Sequence, residues 1–350
     1  MPSIPSIFVS GYTEEGYGAG PGLVRFELLA HGLVGERRAE SPTLVNPSFV
    51  IAGGGCLLAA EEGPHGNVVA LDPLTLNVAG RVPTGGADSC HVALIEDQVW
   101  AANYSSGNAS LVPLAGLLGS EPVSPRLLAH PGSGPVSDRQ GESHAHQVTA
   151  TPWGTALVSD LGADRVDEYA LAGGRFELLG SAQLPPGAGP RHVALKGDFL
   201  LVAGELDGCV HVLQRTPRDG GSDYFWRWLS KTPLADSAQA VESAESFSPS
   251  HIELSHDGNQ LYAAVRGPNT IVVLDVRGLQ SHQSPRFLGA VSSGGNWPRH
   301  FALDTLNGKI YVANQLSNNV AVFELDELGI PGAKPIQSVD FGSPNCILIA

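Results

Sequence analysis

HVALIEDQVWAANYSSGNASLVP, residues 91 to 113, holds three short apolar runs separated by turn-formers. The runs are HVALIE from His91, VWAANY from Val99 and NASLVP from Asn108, with Asp-Gln and Ser-Ser-Gly between them. Runs of this length, bounded by such breaks, read as β-strands joined by tight turns. The pattern recurs along the chain. Counterparts of the first run are SFVIAG from Ser48, HQVTAT from His146, HVALKG from His192, HIELSH from His251, HFALDT from His300 and NCILIA from Asn345. Their starts lie 43 to 59 residues apart, close to the roughly 40–50 residues of a propeller blade.

Each start but the last is followed by a second and a third run. The second set is completed by CLLAAEE (56–62), ALVSDL (156–161), LLVAGEL (200–206), LYAAVRG (261–267) and IYVANQ (310–315). The third set alternates with period two: NVVALD (67–72), RVDEYAL (165–171), CVHVLQ (209–214), TIVVLD (270–275) and NVAVFEL (319–325). The missing seventh copies stand at the other end of the chain, as IFVSGY (7–12) and GLVRFEL (22–28). A weaker outer set comprises ERRAE, RVPTG, RLLAH, FELLG, WLSKT, RFLGA and IQSVD. These repeats predict an all-β fold over residues 1–350, a single seven-bladed β-propeller of four-stranded blades. The ring is closed by pairing an inner strand from 343–350 with three N-terminal strands, which removes the free sheet edge. One segment, PLADSAQAVESAESFS (233–248), reads as a helix.

Composition agrees. Gly and Pro, 43 and 26, make up about a fifth of the chain, enough to turn many short strands and too much for a helical bundle. The formal charge of −15 argues against nucleic acid or an anionic membrane as partner, because both require a basic face. No run approaches the roughly 18 apolar residues of a membrane span. The N-terminus MPSIPSIFVSGYTEEG lacks the basic and apolar regions of a signal peptide. The four cysteines are scattered without a CxxC pair, so neither a zinc site nor a disulfide framework is expected. The chain reads as cytoplasmic, with no metal, cofactor or obligate protein partner.

In an antiparallel hairpin the start of one strand lies beside the end of the next. The strand-start residues Ser48, His91, His146, His192, His251, His300 and Asn345 should therefore share one face with strand-end residues. The latter include Glu61, Glu62, Asn103, Asp160, Glu205, Arg266 and Asn314. Twelve histidines in 350 residues would place about 0.2 of one at seven random positions, and here there are five. Arg191 and Arg299 each precede a start within Pro-Arg-His, which puts them at the channel mouth. With Arg266 they form a local basic pocket suited to a carboxylate or phosphate. Two structural readings compete: histidines bonded to neighbouring blades, and arginines paired with Glu61, Glu205 or Asp160. The His144/His146 pair alone is a weak metal signal.

Several longer stretches resemble the seven-bladed propeller lactonase family, which includes propeller-type 6-phosphogluconolactonases and fungal carboxymuconate lactonizing enzymes. They are AANYSSGNASLVPL (101–114), HAHQV (144–148), SDLGADRVDEY (159–169), PPGAGPRHVAL (185–195), GEL (204–206), LSHDGNQLYAAVRG (254–267), GGNWPRHFAL and VANQLSNNVAVF. The resemblance runs from SGYTEEGYGAGPGLVRFEL to PNCILIA, nearly the whole chain. It implies catalytic positions at His146 (or His144), Arg191, Glu205 and Arg266. Where the family usually reads Ala-Glu-Ile, this chain reads Ser-His-Ile, so His251 replaces a carboxylate.

The expected activity is hydrolysis of a small anionic lactone, first of all 6-phosphogluconolactone to 6-phosphogluconate. Glu205 is expected as base, His146 as acid, and Arg191 and Arg266 as anion or oxyanion holders, with the two pKa values drawn towards neutrality. His144, His192, His251, Arg299, His300, Asn103 and Asn314 complete the expected substrate contacts. The alternatives are a carboxymuconate cycloisomerase using the same arginines, and a non-catalytic propeller that binds a metabolite or protein.

Overall fold

The computed structural model describes residues 5–129, 131–172, 175–218, 224–235, 247–304 and 307–350. Its strands form seven four-stranded antiparallel sheets, each running from an inner strand at the axis to an outer strand at the rim. Six sheets are continuous in sequence; the seventh has the order Pro344–Ile349, Ser6–Gly11, Leu23–Leu28, Val34–Ser41. Closure is antiparallel, with Ile7 opposite Ile349, Phe8 opposite Leu348 and Val9 opposite Ile347. The seven-bladed ring and its terminal pairing thus match the repeat reading. The segment 233–248, read as a helix, lies for the most part outside the described residues; its ends belong to the strands Tyr224–Pro233 and Ser248–Leu254.

Short turns make the blades possible. Between Pro47–Gly53 and Cys56–Glu61, Gly54 and Gly55 have φ of 62° and 79°. Two successive positive φ values give the tight hairpin twist that matches paired strands, and glycine adopts them without a Cβ clash. The period-two pattern then gives each strand two apolar faces, one for each neighbouring blade. On Gln260–Arg266, Leu261, Ala263 and Val265 pack with Leu201 and Val212 of the preceding blade. Tyr262 and Ala264 pack instead with Phe301 and Val312 of the following blade. Burying such side chains contributes roughly 1.5–3 kcal/mol each.

The detail that shapes the axis is a register shift near the start of every inner strand. Ser89 lies opposite Asn103, but His91 lies opposite Ala102, so Cys90 is an extra residue. The corresponding extra residues are Ser48, His146, Arg191, Ser250, Arg299 and Asn345. A β-bulge of this kind bends the strand and re-aims side chains. Two consecutive residues per blade therefore take up distinct positions near the axis. The next residues round the ring are Phe49, His91, Gln147, His192, His251, His300 and Cys346. This corrects the strand alignment: His146 is the counterpart of Cys90, and Gln147, not His146, is the counterpart of His91.

Candidate active site

Four of the five strand-start histidines come together with Phe49 in a closed circuit of rings. Neighbouring centroids are 4.0 Å apart for Phe49–His91, 5.6 Å for His91–His192, 5.1 Å for His192–His251, 4.0 Å for His251–His300 and 5.4 Å for His300–Phe49. His192 Nδ1 lies 2.8 Å from His251 Nδ1, so one of the two donates to the other. Ile347 N–H donates to His300 Nδ1 at 3.3 Å. His91 Nδ1 is buried without a hydrogen-bond partner. Burial, joined by the neighbouring histidines and Arg191, holds all four imidazoles well below their usual pKa, His251 down to about 3. They are neutral at physiological pH and pack as an aromatic plug.

His146, one residue earlier in its strand, packs edge-on against His192 at 5.7 Å and against Tyr104 at 5.5 Å. It is buried, and burial, reinforced by Arg191, pushes its pKa well down. His144 points elsewhere. It stacks on Tyr104 at 4.4 Å, with Nδ1 3.0 Å from the Tyr104 carbonyl.

Beside His146 lies a cluster of guanidiniums around Glu205. Arg191 Nε and Arg266 Nη2 are each 2.8 Å from Glu205 Oε2, and Arg139 Nη2 donates to Oε1 at 2.7 Å. Arg191, Arg266 and Glu205 are buried, whereas Arg139 has 40% of its side chain exposed. Arg266 also lies over Trp297 and donates to the Ser248 carbonyl. A second pair stands nearby: Arg299 Nη2 is 3.6 Å from Glu62 Oε2, which accepts from Tyr12 Oη at 2.6 Å, and Arg299 lies over the Tyr12 ring. Four guanidiniums thus face two carboxylates. Arg191 Nη1 is a buried donor with no hydrogen-bond partner.

The electrostatics revise one expectation. Burial tends to raise the pKa of Glu205, but Arg266, Arg191, His146 and Arg139 outweigh it and hold the carboxyl well below the ordinary range. Glu205 is a fixed anion and not a base tuned to neutrality. Glu62 goes the other way, since burial raises it more than Arg299 lowers it. Arg191, expected at the mouth, is instead buried on Glu205 because it belongs to the bulge.

Asn103 and Asn314 are fully buried and bonded within the ring. Asn103 accepts from Ser89 Oγ at 2.6 Å and donates to Asn108 Oδ1, and Asn314 donates to the Ser293 carbonyl at 2.9 Å. The strand repeat could not reveal Arg139, because it sits in the long connection before His144 and not in a strand. The available signal was the 55-residue interval between His91 and His146. A separate cavity of about 690 Å³ is lined by Asp257, Arg277 and Leu328. Its Asp257 and Asp275 are already bonded to Ser255, Asn259, Arg277 and Arg286. It shares no residue with the arginine cluster. Among the described residues, no three His, Cys, Asp or Glu side chains are grouped to hold a metal, and no helix is long and apolar enough to cross a membrane.

The family model described as lactonase, 7-bladed beta-propeller, matches residues 6–349. The chain belongs to this lactonase family. On that ground it is a lactone hydrolase. A Bacillus subtilis protein named 6-phosphogluconolactonase is 31% identical over 336 residues, covering 91% of each chain. The structure of a Pseudomonas aeruginosa periplasmic gluconolactonase superposes with a TM-score of 0.85 at 28% identity, covering 99% of both chains. A Lactobacillus plantarum protein structure, at 24% identity and a TM-score of 0.84, shares the fold.

Proposed function

We propose that this lactonase opens 6-phosphogluconolactone to 6-phosphogluconate, in the cytoplasm and without a cofactor or protein partner. The observation that carries this reading is the excess of positive charge gathered at one place: the buried Arg191 and Arg266, the partly buried Arg299 and the half-exposed Arg139 face Glu205 and Glu62. In a chain of net charge −15, such an excess favours one small anion at this place and nowhere broad. The name carried by the Bacillus subtilis relative supports a phosphorylated sugar lactone.

The residues suit the following course. Neutral His146 takes a proton from water as the water oxygen adds to the lactone carbonyl. Arg191, through its unpartnered Nη1, or Arg266 stabilises the oxyanion, and the exposed Arg139 with the partly buried Arg299 holds the phosphate. Collapse of the tetrahedral intermediate breaks the bond between the carbonyl carbon and the ring oxygen. The His146 imidazolium then returns its proton to that oxygen. An imidazole whose pKa is depressed is unprotonated when needed as base, and its conjugate acid donates readily. Glu205 keeps the guanidiniums in place. This reassigns the expected base role from Glu205 to His146.

His146→Gln is expected to lower kcat by about 10²–10⁴-fold with little change in KM. An unchanged kcat would remove His146 from the chemistry. Purified protein should release acid from freshly prepared 6-phosphogluconolactone faster than from gluconolactone, and should leave the absorbance of carboxymuconate unchanged. Preference for gluconolactone would overturn the phosphate reading, and turnover of carboxymuconate would replace hydrolysis by cycloisomerisation. No turnover of any of the three by folded protein would favour a binding propeller.

A further inference from the structure

Asp164 touches no catalytic candidate, yet it joins the two connections on which three members of the arginine cluster depend. It sits at a left-handed backbone position, φ 53°, in the turn between Thr155–Asp160 and Arg165–Ala172, and is buried. Its Oδ2 accepts from Gly187 N–H at 2.7 Å and its Oδ1 from Gly189 N–H at 2.8 Å. The same Oδ1 accepts from the Gln140 side-chain amide at 2.8 Å.

Each bond leads to the cluster in one or two steps. Gly189 is two residues before Arg191, and its carbonyl accepts from the Glu205 N–H at 2.8 Å. Gly189 has φ 63°, and a Cβ there would meet Leu206 at 2.4 Å, so the connection has one close-fitting path. Gln140 follows Arg139. Its carbonyl accepts from Gly134 N–H and its Oε1 from Val136 N–H, which ties the 134–140 connection into a knot around one fully buried side chain. Both connections lack strand pairing of their own, and Asp164 is where they meet.

We propose that Asp164 is a positioning residue that holds Arg139 and Arg191 in register on Glu205, so that the anion pocket exists before substrate arrives. The kinetic part of this proposal rests on reading the cluster as the substrate site; the structural part does not. Preorganisation of this kind matters because donors that must be collected at the moment of reaction lose much of their effect.

Hydrogen–deuterium exchange of the whole chain, with lactone hydrolysis and inorganic phosphate titration on the same samples, tests it. A lost buried hydrogen bond shifts a local opening equilibrium by roughly tenfold. Asp164→Ala should therefore speed exchange by about that factor in 134–140 and 185–191 together, leaving Gln260–Arg266 unchanged. Hydrolysis should fall at least as much in kcat/KM, and phosphate should bind more weakly. Asp164→Asn keeps one acceptor and opposes a second donor to Gly187, so it should give intermediate values. Gln140→Ala should loosen 134–140 alone, and carries the test if Asp164→Ala does not fold. Unchanged exchange in both segments would overturn the proposal, as would faster exchange with phosphate affinity unaltered. If the unmodified protein hydrolyses no lactone, the functional reading fails, while exchange and phosphate binding still decide the role of Asp164.

Discussion

Glu205→Gln is expected to lower kcat for the lactone by about a hundredfold while KM stays level or falls. Such a split follows from the charge arrangement. The substitution preserves shape but removes the one negative charge that Arg139, Arg191 and Arg266 share. Arg191 and Arg266 already oppose one another enough that burial and Arg266 pull the Arg191 pKa down to about 9. Without Glu205 the two guanidiniums separate, and an incoming anion meets a pocket that is more positive but no longer ordered. Binding persists, and the geometry needed in the transition state is lost; a hundredfold corresponds to roughly 3 kcal/mol. Breaking a buried ion pair from one side costs about 3–5 kcal/mol of stability, eased here because Arg139 can turn to water. Steady-state kinetics with a thermal melt checks both parts. A kcat equal to that of the unmodified protein would make Glu205 a structural counter-ion only.

Acid unfolding should begin unusually early, between about pH 6 and pH 4. The cause is five buried neutral imidazoles, those of His91, His146, His192, His251 and His300, whose pKa values burial holds far below the ordinary one. In the unfolded chain they titrate near 6.5. Below that pH the unfolded chain binds protons that the folded chain refuses until its own much lower pKa, about 3 for His251, is reached. Stability is therefore fully present above about pH 6.5 and is lost as pH falls. Each imidazole removes up to about 2 kcal/mol by pH 5, so five of them approach the 5–15 kcal/mol that holds an ordinary domain together. Glu205 adds little to this loss above about pH 4.5, because its contribution stays whole until the unfolded carboxyl begins to bind protons there. Circular dichroism against pH measures the midpoint. A chain that keeps its fold and melting temperature at pH 4.5 would show that the imidazoles are solvated. Replacing His251 and His300 by phenylalanine should move the midpoint towards acid.

The blades were legible because their signal is repeated. Seven copies of a strand pattern define a ring even when a single copy such as RLLAH is weak, and the out-of-phase termini disclose how the ring closes. Candidate residues were legible where they fell on that repeat, as Arg191, Glu205, Arg266 and the histidines do. Two things escaped it. A one-residue bulge is invisible when runs are aligned by their histidines, so His146 and His91 were placed in one row although pairing separates them. Arg139 belongs to a connection with no counterpart in the other blades, and only folding brings it to Glu205. The protonation of Glu205 was also out of reach, because it depends on how many guanidiniums converge on one oxygen pair.

The inner-strand bulge has a consequence for how this chain can change over evolutionary time. Because one residue in each blade is set out of step, neighbouring codons serve two rows of seven positions: one carries His146, Arg191 and Arg299 of the candidate site, the other Phe49, His91, His192, His251 and His300 of the aromatic plug. A mutation at Cys90, whose Sγ lies 3.8 Å from His146 Nδ1, alters the surroundings of the candidate site without emptying the aromatic plug beside it. Substrate preference can thus drift within such a ring while its packed centre is retained, and a new binding chemistry need not begin with a new scaffold.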